Sequence, residues 1–142
     1  MGQSASTGCP CNLICFKMKI RIQGNAIRLR LSQREVRAFG ETGLVEERIQ
    51  FGSGLEDALV YALVRTHDGP MNADFTGNRI RVMVPAGDAA AWVSTDQVGM
   101  AGDMNLGNGN TLHILVEKDF KCLTDRAGED ESDNFPNPNL GC

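Results

Sequence analysis

The sequence predicts an α+β fold: a tandem ββαββ duplication forming one largely antiparallel sheet or barrel of about eight strands with two short helices. Apolar and polar residues alternate on both sides of Gly-Asn dipeptides, which is the pattern of β-hairpins with one buried face. The same order of segments recurs 53 residues later, so that Gly24-Asn25 corresponds to Gly77-Asn78. These two observations carry the fold prediction.

The first ββαββ unit is predicted over residues 18–66. Its two strands, helix and two further strands are predicted at 19–23, 26–31, 33–40, 44–51 and 58–65. Ser32 is followed three residues later by Glu35, which is the pattern of a capping box at a helix start. Gly40 and Gly43 are expected to end that helix.

The second unit is predicted over residues 71–119. Its corresponding elements are predicted at 71–76, 79–84, 86–94, 97–104 and 111–118. The spacing pairs apolar positions with each other, including Phe39 with Trp92 and Val45 with Val98. Neither unit is long enough to bury a stable core alone, so we expect the two to pack together.

Both ends of the chain differ from the ββαββ domain at 18–119. Residues 1–17 are interpreted as a flexible, cysteine-containing extension, and residues 120–142 as an acidic tail rich in proline and asparagine that runs along the surface. The five cysteines lie in these two segments, at Cys9, Cys11, Cys15, Cys122 and Cys142. This distribution is not that of a disulfide framework, so reduced thiols are expected.

Charge and hydropathy limit the kinds of partner and the cellular compartment that we expect for this protein. The formal net charge of −4 comes from the acidic tail, because basic and acidic residues nearly balance over the ββαββ units. No basic footprint of a general nucleic-acid binder is present, and no apolar run is long enough to span a bilayer. We therefore expect a cytoplasmic protein without a membrane partner, and nucleic acid is disfavoured.

The strongest candidate site is a set of basic residues on the predicted strands. Lys19, Arg21, Arg28 and Arg30 fall on the polar face of the first hairpin, and Arg79 and Arg81 fall on the corresponding hairpin of the second unit. Guanidinium groups bind phosphate and carboxylate through paired hydrogen bonds. Arg28 and Arg81 occupy corresponding positions, so we expect both to take part if a twofold axis brings them together on one anion. The alternative is that these cations cover a solvated sheet and pair with carboxylates.

Other chemistry has weaker support in the sequence. Cysteine spacing does not match a structural zinc site, and Cys122 with Asp125 is the remaining candidate for a metal or thiol site. Glu46-Glu47 is typical of the surface of an edge strand. We predict no catalytic residue, no resident metal and no cofactor.

Several segments resemble a small bacterial family that is classed as a domain of unknown function. The resembling segments are 18–22, 25–31, 96–99, 115–123, 129–133 and 135–138. The resemblance extends from Met18 to about Asn139 and implies no reaction, cofactor or catalytic residue. It does imply that the segment from Lys118 to Asn139 belongs to the domain and docks on it.

The resulting functional hypothesis is a non-catalytic binding or accessory module with an anion-binding arginine face, for which a small anionic molecule is the expected ligand. One alternative is an enzyme of phosphate-ester or triphosphate chemistry, with basic residues directed into a barrel. A further alternative is a thiol- or metal-handling protein that uses Cys122 and the acidic tail.

Overall fold

The computed structural model describes residues 17–120 and 133–136. Over these ranges the chain forms the order ββαββ twice, which confirms the α+β class and the tandem pattern. The elements are β1 (Lys19–Gln23), β2 (Ala26–Leu31), α1 (Gln33–Thr42), β3 (Leu44–Gln50), β4 (Ala58–Thr66), β5 (Asn72–Thr76), β6 (Arg79–Pro85), α2 (Ala86–Ser94), β7 (Gly99–Gly107) and β8 (Asn110–Lys118). All ten elements lie within two or three residues of their predicted bounds.

The described strands form two four-stranded sheets. The first has the order β1-β2-β8-β7 and the second has the order β3-β4-β6-β5. Each sheet consists of two antiparallel hairpins joined by a parallel central pair, β2 with β8 and β4 with β6. The single, largely antiparallel sheet expected from the sequence is thus replaced by two mixed sheets, because each unit contributes one hairpin to each sheet.

The two parallel pairs have the same register. Leu29 lies opposite Val116 in the first sheet, and Val82 lies opposite Leu63 in the second. These are corresponding positions at the 53-residue spacing. The central strands of both sheets therefore obey the correspondence that the sequence predicted.

The correspondence fails at β7. Val45 lies opposite Leu63, whereas the residue opposite Val116 is Met100 and not Val98. Met100 is buried, while Val98 is 45% exposed. The pairing of Val45 with Val98 was therefore wrong, because the chain runs two residues further after α2 before it enters the sheet.

One hydrophobic core unites the inward faces of both sheets with both helices. Phe39 of α1 and Trp92 of α2 are fully buried, and their rings meet edge to face with centroids 6.1 Å apart. Gly40 does not end α1 as expected but lies inside it. A Cβ atom at Gly40 would lie 2.8 Å from Val93 Cγ1, so this glycine allows the two helices to approach. Gly43, in the left-handed conformation, ends the helix.

Part of the C-terminal segment packs on the domain. The Phe135 N–H donates to the Asp119 carbonyl over 2.8 Å, and the Gln33 N–H donates to the Asp133 carbonyl over 3.1 Å. The rings of Phe120 and Phe135 lie 5.7 Å apart. Residues 133–136 thus dock as the family resemblance implied. The predictions for residues 1–16, 121–132 and 137–142 fall outside the described residues.

Candidate functional site

The outer face of the first sheet carries four of the basic residues predicted from the sequence. Their strand neighbours point into the core, so the alternation directs the cations outward. Lys19 lies opposite Arg30, and Arg21 lies opposite Arg28. Lys19 Nζ lies 2.9 Å from the Asp119 carboxylate. The structure therefore brings these four side chains together on two adjacent strands, which we call the basic face.

Two hollows on this face share Arg21 and Arg28. The larger, of about 430 Å³, lies over the central strands, and its polar lining includes Asp103 and His113. Its floor includes the apolar side chain of Leu115. The smaller, of about 170 Å³, is lined by all four cations of the basic face and by Ile20. A hollow of about 300 Å³ or more can hold a small organic ligand.

Carboxylates neutralise the basic face only in part. Glu117 Oε1 lies 3.5 Å from Arg28 Nε and 3.3 Å from Arg30 Nε, so two guanidinium groups share one carboxylate. The Arg21 side chain makes no hydrogen bond or ion pair within residues 17–120 and 133–136. Positive charge is therefore in excess where the two hollows meet.

A histidine and an aspartate line the larger hollow beyond the arginines. His113 Nδ1 lies 2.8 Å from Asp103 Oδ1, and both side chains are more than half exposed. The carboxylate orients the ring and leaves Nε2 available to a ligand. His113 pairs only with Asp103 among the described residues.

The corresponding arginines of the second sheet are individually neutralised. Arg79 Nη1 lies 3.2 Å from both oxygens of Glu46. Arg81 forms a bidentate pair with Asp74, with distances of 3.0 and 2.5 Å. The hydrogen bond from Arg81 lowers the pKa of Asp74 below its ordinary value. Unlike Arg21, these two arginines of the second sheet are each paired with a carboxylate.

The structure does not bring Arg28 and Arg81 together. Each alternates with core residues of its own strand, so the two side chains point away from the shared core on different sheets. The expected convergence of this pair on one anion was therefore wrong. The inward positions hold apolar side chains such as Leu29 and Val82, so the arginines do not enter a tunnel.

A second large hollow, not predicted from the sequence, lies at the end of the domain formed by the hairpin turns. Its volume is about 430 Å³ and its lining is almost entirely apolar. It is built from corresponding residues of the two units, Ile27 with Ile80 and Leu59 with Leu112. Phe75, which is 66% exposed, lies at its edge. In each pair the two residues are of the same type and lie 53 positions apart. This was the signal in the sequence from which the hollow could have been found.

Two carboxyl groups lie beside the start of β1, that of Glu35 buried and that of Glu47 half-buried, and we call them the acid pair. Glu35 is 1% exposed and accepts a hydrogen bond from the Lys17 N–H. Glu47 accepts one from the Met18 N–H over 3.2 Å. Burial raises the pKa of Glu35, and it raises that of Glu47 to about 7. Tyr61, whose pKa burial raises to about 12, donates to the Met18 carbonyl over 2.8 Å.

The sequence patterns around these two glutamates indicate different roles for them. Glu35 was predicted only as the capping-box partner of Ser32, and this contact is present. Glu47 was expected on the surface beside Glu46. The two are neighbours on β3, so their side chains point to opposite faces, and Glu47 is the one directed inward. Strand alternation alone could not decide which of the two would point inward.

The remaining sequence candidates concern metal ligands. Cys122 and Asp125 lie outside the described residues. Within the described ranges, no group of three or more His, Cys, Asp or Glu side chains is placed to hold a metal ion. Neither described helix is both long and apolar enough to cross a membrane.

Together these features define a small α+β domain of two mixed sheets with a basic outer face. A family model matches residues 18–139, and the chain belongs to that family, the family of unknown function DUF7009. No curated protein and no solved structure matches the chain.

Proposed function

We propose that this protein is a non-catalytic binding module that recognises a small anionic molecule on the basic face. Arg21 and Arg28 would bind the anionic group where the two hollows meet. The observation that carries this proposal is that the Arg21 side chain has no partner among residues 17–120 and 133–136, while the neighbouring Arg28 shares its carboxylate with Arg30. A phosphate or carboxylate ligand supplies the negative charge that the face lacks.

The shape of the larger hollow suggests what accompanies the anionic group. Leu115 offers an apolar surface for an organic body, and His113 offers a ring nitrogen for a polar substituent. Hollows that combine apolar surface with a few polar groups are typical of small-molecule sites. A phosphorylated metabolite of modest size fits this description better than a nucleic acid, which needs a longer basic track.

A second function has one observation in its favour. The His113–Asp103 pair lies in the same hollow as the two arginines. A carboxylate-oriented histidine can transfer a proton while guanidinium groups stabilise a phosphate. Phosphate-ester hydrolysis is therefore the alternative activity, and turnover of a bound ester would distinguish it from simple binding.

Calorimetry with nucleoside monophosphates, sugar phosphates and short polyphosphates tests the proposal. We expect binding at low salt that weakens steeply as ionic strength rises. Hydrogen bonds to charged groups contribute about 1.5–3 kcal/mol each, so Arg21→Ala or Arg28→Ala should weaken binding roughly 10-fold to 100-fold.

Arg81→Ala provides the matched control. Arg81 corresponds to Arg28 in strand position but is paired with Asp74 on the other sheet. Affinity should be unchanged in this variant. Equal losses from Arg28→Ala and Arg81→Ala would show that net charge, and not the basic face, determines binding. Absence of any binding at low salt would refute the proposal.

A further inference from the structure

The two glutamates of the acid pair accept hydrogen bonds from backbone N–H groups where the matched family domain begins. Lys17 and Met18 donate to Glu35 and Glu47, respectively. The matched domain begins at residue 18. Met18 is itself 1% exposed and belongs to the hydrophobic core. The two carboxylates therefore lie at consecutive backbone nitrogens, Glu35 at that of Lys17 and Glu47 at that of the buried methionine with which the matched domain begins.

No cationic side chain accompanies these carboxylates in the described ranges. The charged group that acts on Glu35 is Asp133, which is also acidic, and the group that acts on Glu47 is Glu35. Tyr61 completes the polar surroundings as a neutral hydroxyl. Buried carboxylates are ordinarily paired with a cation, because an isolated charge is costly to remove from water.

We propose that the acid pair is a binding site for a primary ammonium group. Its occupant is the α-ammonium of Met18, in a form of the chain that begins at this residue. Such a form replaces the peptide N–H of Met18 by a cation with three donors. Glu47 already lies 3.2 Å from that nitrogen. Glu35, which also accepts a hydrogen bond from the Ser32 N–H, lies at the nitrogen of the preceding residue, a contact that this form of the chain leaves open.

The buried methionine side chain explains why the occupant is the chain itself and not a free amine. Met18 occupies the core with almost no exposed surface, so the nitrogen is delivered to the acid pair by packing. The Tyr61 hydroxyl fixes the carbonyl of the same residue over 2.8 Å. A free amine would lack both of these attachments.

A chain from Met18 to Cys142 with a free α-amine tests the proposal. Among the described residues, every member of the core cluster lies at or after Met18, so this form retains the core that the structure describes. The measurement is the rate at which an acid anhydride acylates the α-amine, followed from pH 6 to 10. The midpoint of that profile reports the pKa of the amine. We expect it at least one unit above the ordinary range of about 7.7–8.0.

Glu47→Gln and Glu46→Gln are the matched variants. They are adjacent on β3, but Glu46 lies on the outer face with Arg79. The midpoint should return to the ordinary range in Glu47→Gln and stay raised in Glu46→Gln. An ordinary midpoint in the unsubstituted chain, or a raised midpoint unaffected by Glu47→Gln, would overturn the assignment.

A second measurement does not depend on the folding of a variant. Between pH 5 and 7 the chain of residues 1–142 should lose stability, because its acid pair ionises without a cationic partner among residues 17–120 and 133–136. The chain beginning at Met18 should lose less, because its ammonium group stabilises the ionised carboxylates. Denaturation midpoints that fall equally steeply with pH in both chains would contradict the proposal.

Discussion

Replacement of Trp92 by alanine should destabilise the protein more than any other single truncation we consider. Trp92 is fully buried and lies against Phe39 of the other helix. Its Nε1–H donates to the Val98 carbonyl over 3.0 Å, and Lys118 Nζ lies 5.9 Å from its ring centroid. One side chain thus joins α2 to α1 and to the open end of the β7–β8 hairpin, where Val98 and Lys118 lie next to each other.

The magnitude follows from these contacts. Truncation of a buried tryptophan typically costs about 3–5 kcal/mol, and the lost Nε1 hydrogen bond places Trp92 in the upper part of that range. We expect a loss of about 4–5 kcal/mol for Trp92→Ala. For a chain of 142 residues, this lowers the melting temperature by roughly 12–18 °C. Trp92→Phe keeps a ring in the core and should cost about half as much.

Thermal and urea denaturation followed by circular dichroism provide the assay. Leu55→Ala is the control, because Leu55 is 91% exposed and its truncation should change stability by less than about 0.5 kcal/mol. If Trp92→Ala melts within a few degrees of the parent, Trp92 does not anchor the core and the assignment of α2 to the core is wrong.

Two further predictions concern charge and backbone conformation. The pKa of Glu47 is raised to about 7, so in the chain of residues 1–142 the unfolded state ionises first as pH rises from about 4.5. Stability should therefore fall by roughly 1–3 kcal/mol between pH 4.5 and 7, after allowance for partial exposure, and Glu47→Gln should reduce this slope. Gly43 has a φ of 78° at the end of α1, so Gly43→Ala should cost about 1–2 kcal/mol in urea denaturation. Gly87→Ala is its control, since Gly87 lies in a helix with open space around it and should be neutral or slightly stabilising.

Local structure was predictable because it depends on short-range patterns. The Gly24-Asn25 and Gly77-Asn78 turns, the capping box at Ser32 and the alternation along the strands all lie within a few residues of chain. The burial of Phe39 and Trp92 followed from their common position in the two units. Each of these features is set by neighbours in the sequence, and each is present in the structure.

The arrangement of the hairpins was not predictable on the same basis. Whether β2 pairs with β8 or continues into a single sheet depends on contacts between residues far apart in the chain. Which of Glu46 and Glu47 points outward and which points inward depends on that arrangement. The separation of Arg28 from Arg81 depends on it as well. The basic face could be predicted because its four residues lie on one hairpin. The expected convergence of Arg28 and Arg81 depended instead on how the two units are arranged in three dimensions.

Each unit contributes one hairpin to each sheet, and this arrangement also determines when the protein can fold. Ala26 of β2 pairs with His113 of β8. The strand that completes the pairing of β2 is therefore among the last parts of the domain to be synthesised. The first unit leaves the ribosome with an unpaired β2 edge, and sheet formation waits for nearly the whole chain. Pairing between such distant segments slows folding. The same exposed edge can accept β8 from another chain, so two polypeptides that fold side by side can trade their second units and close as an interlocked dimer.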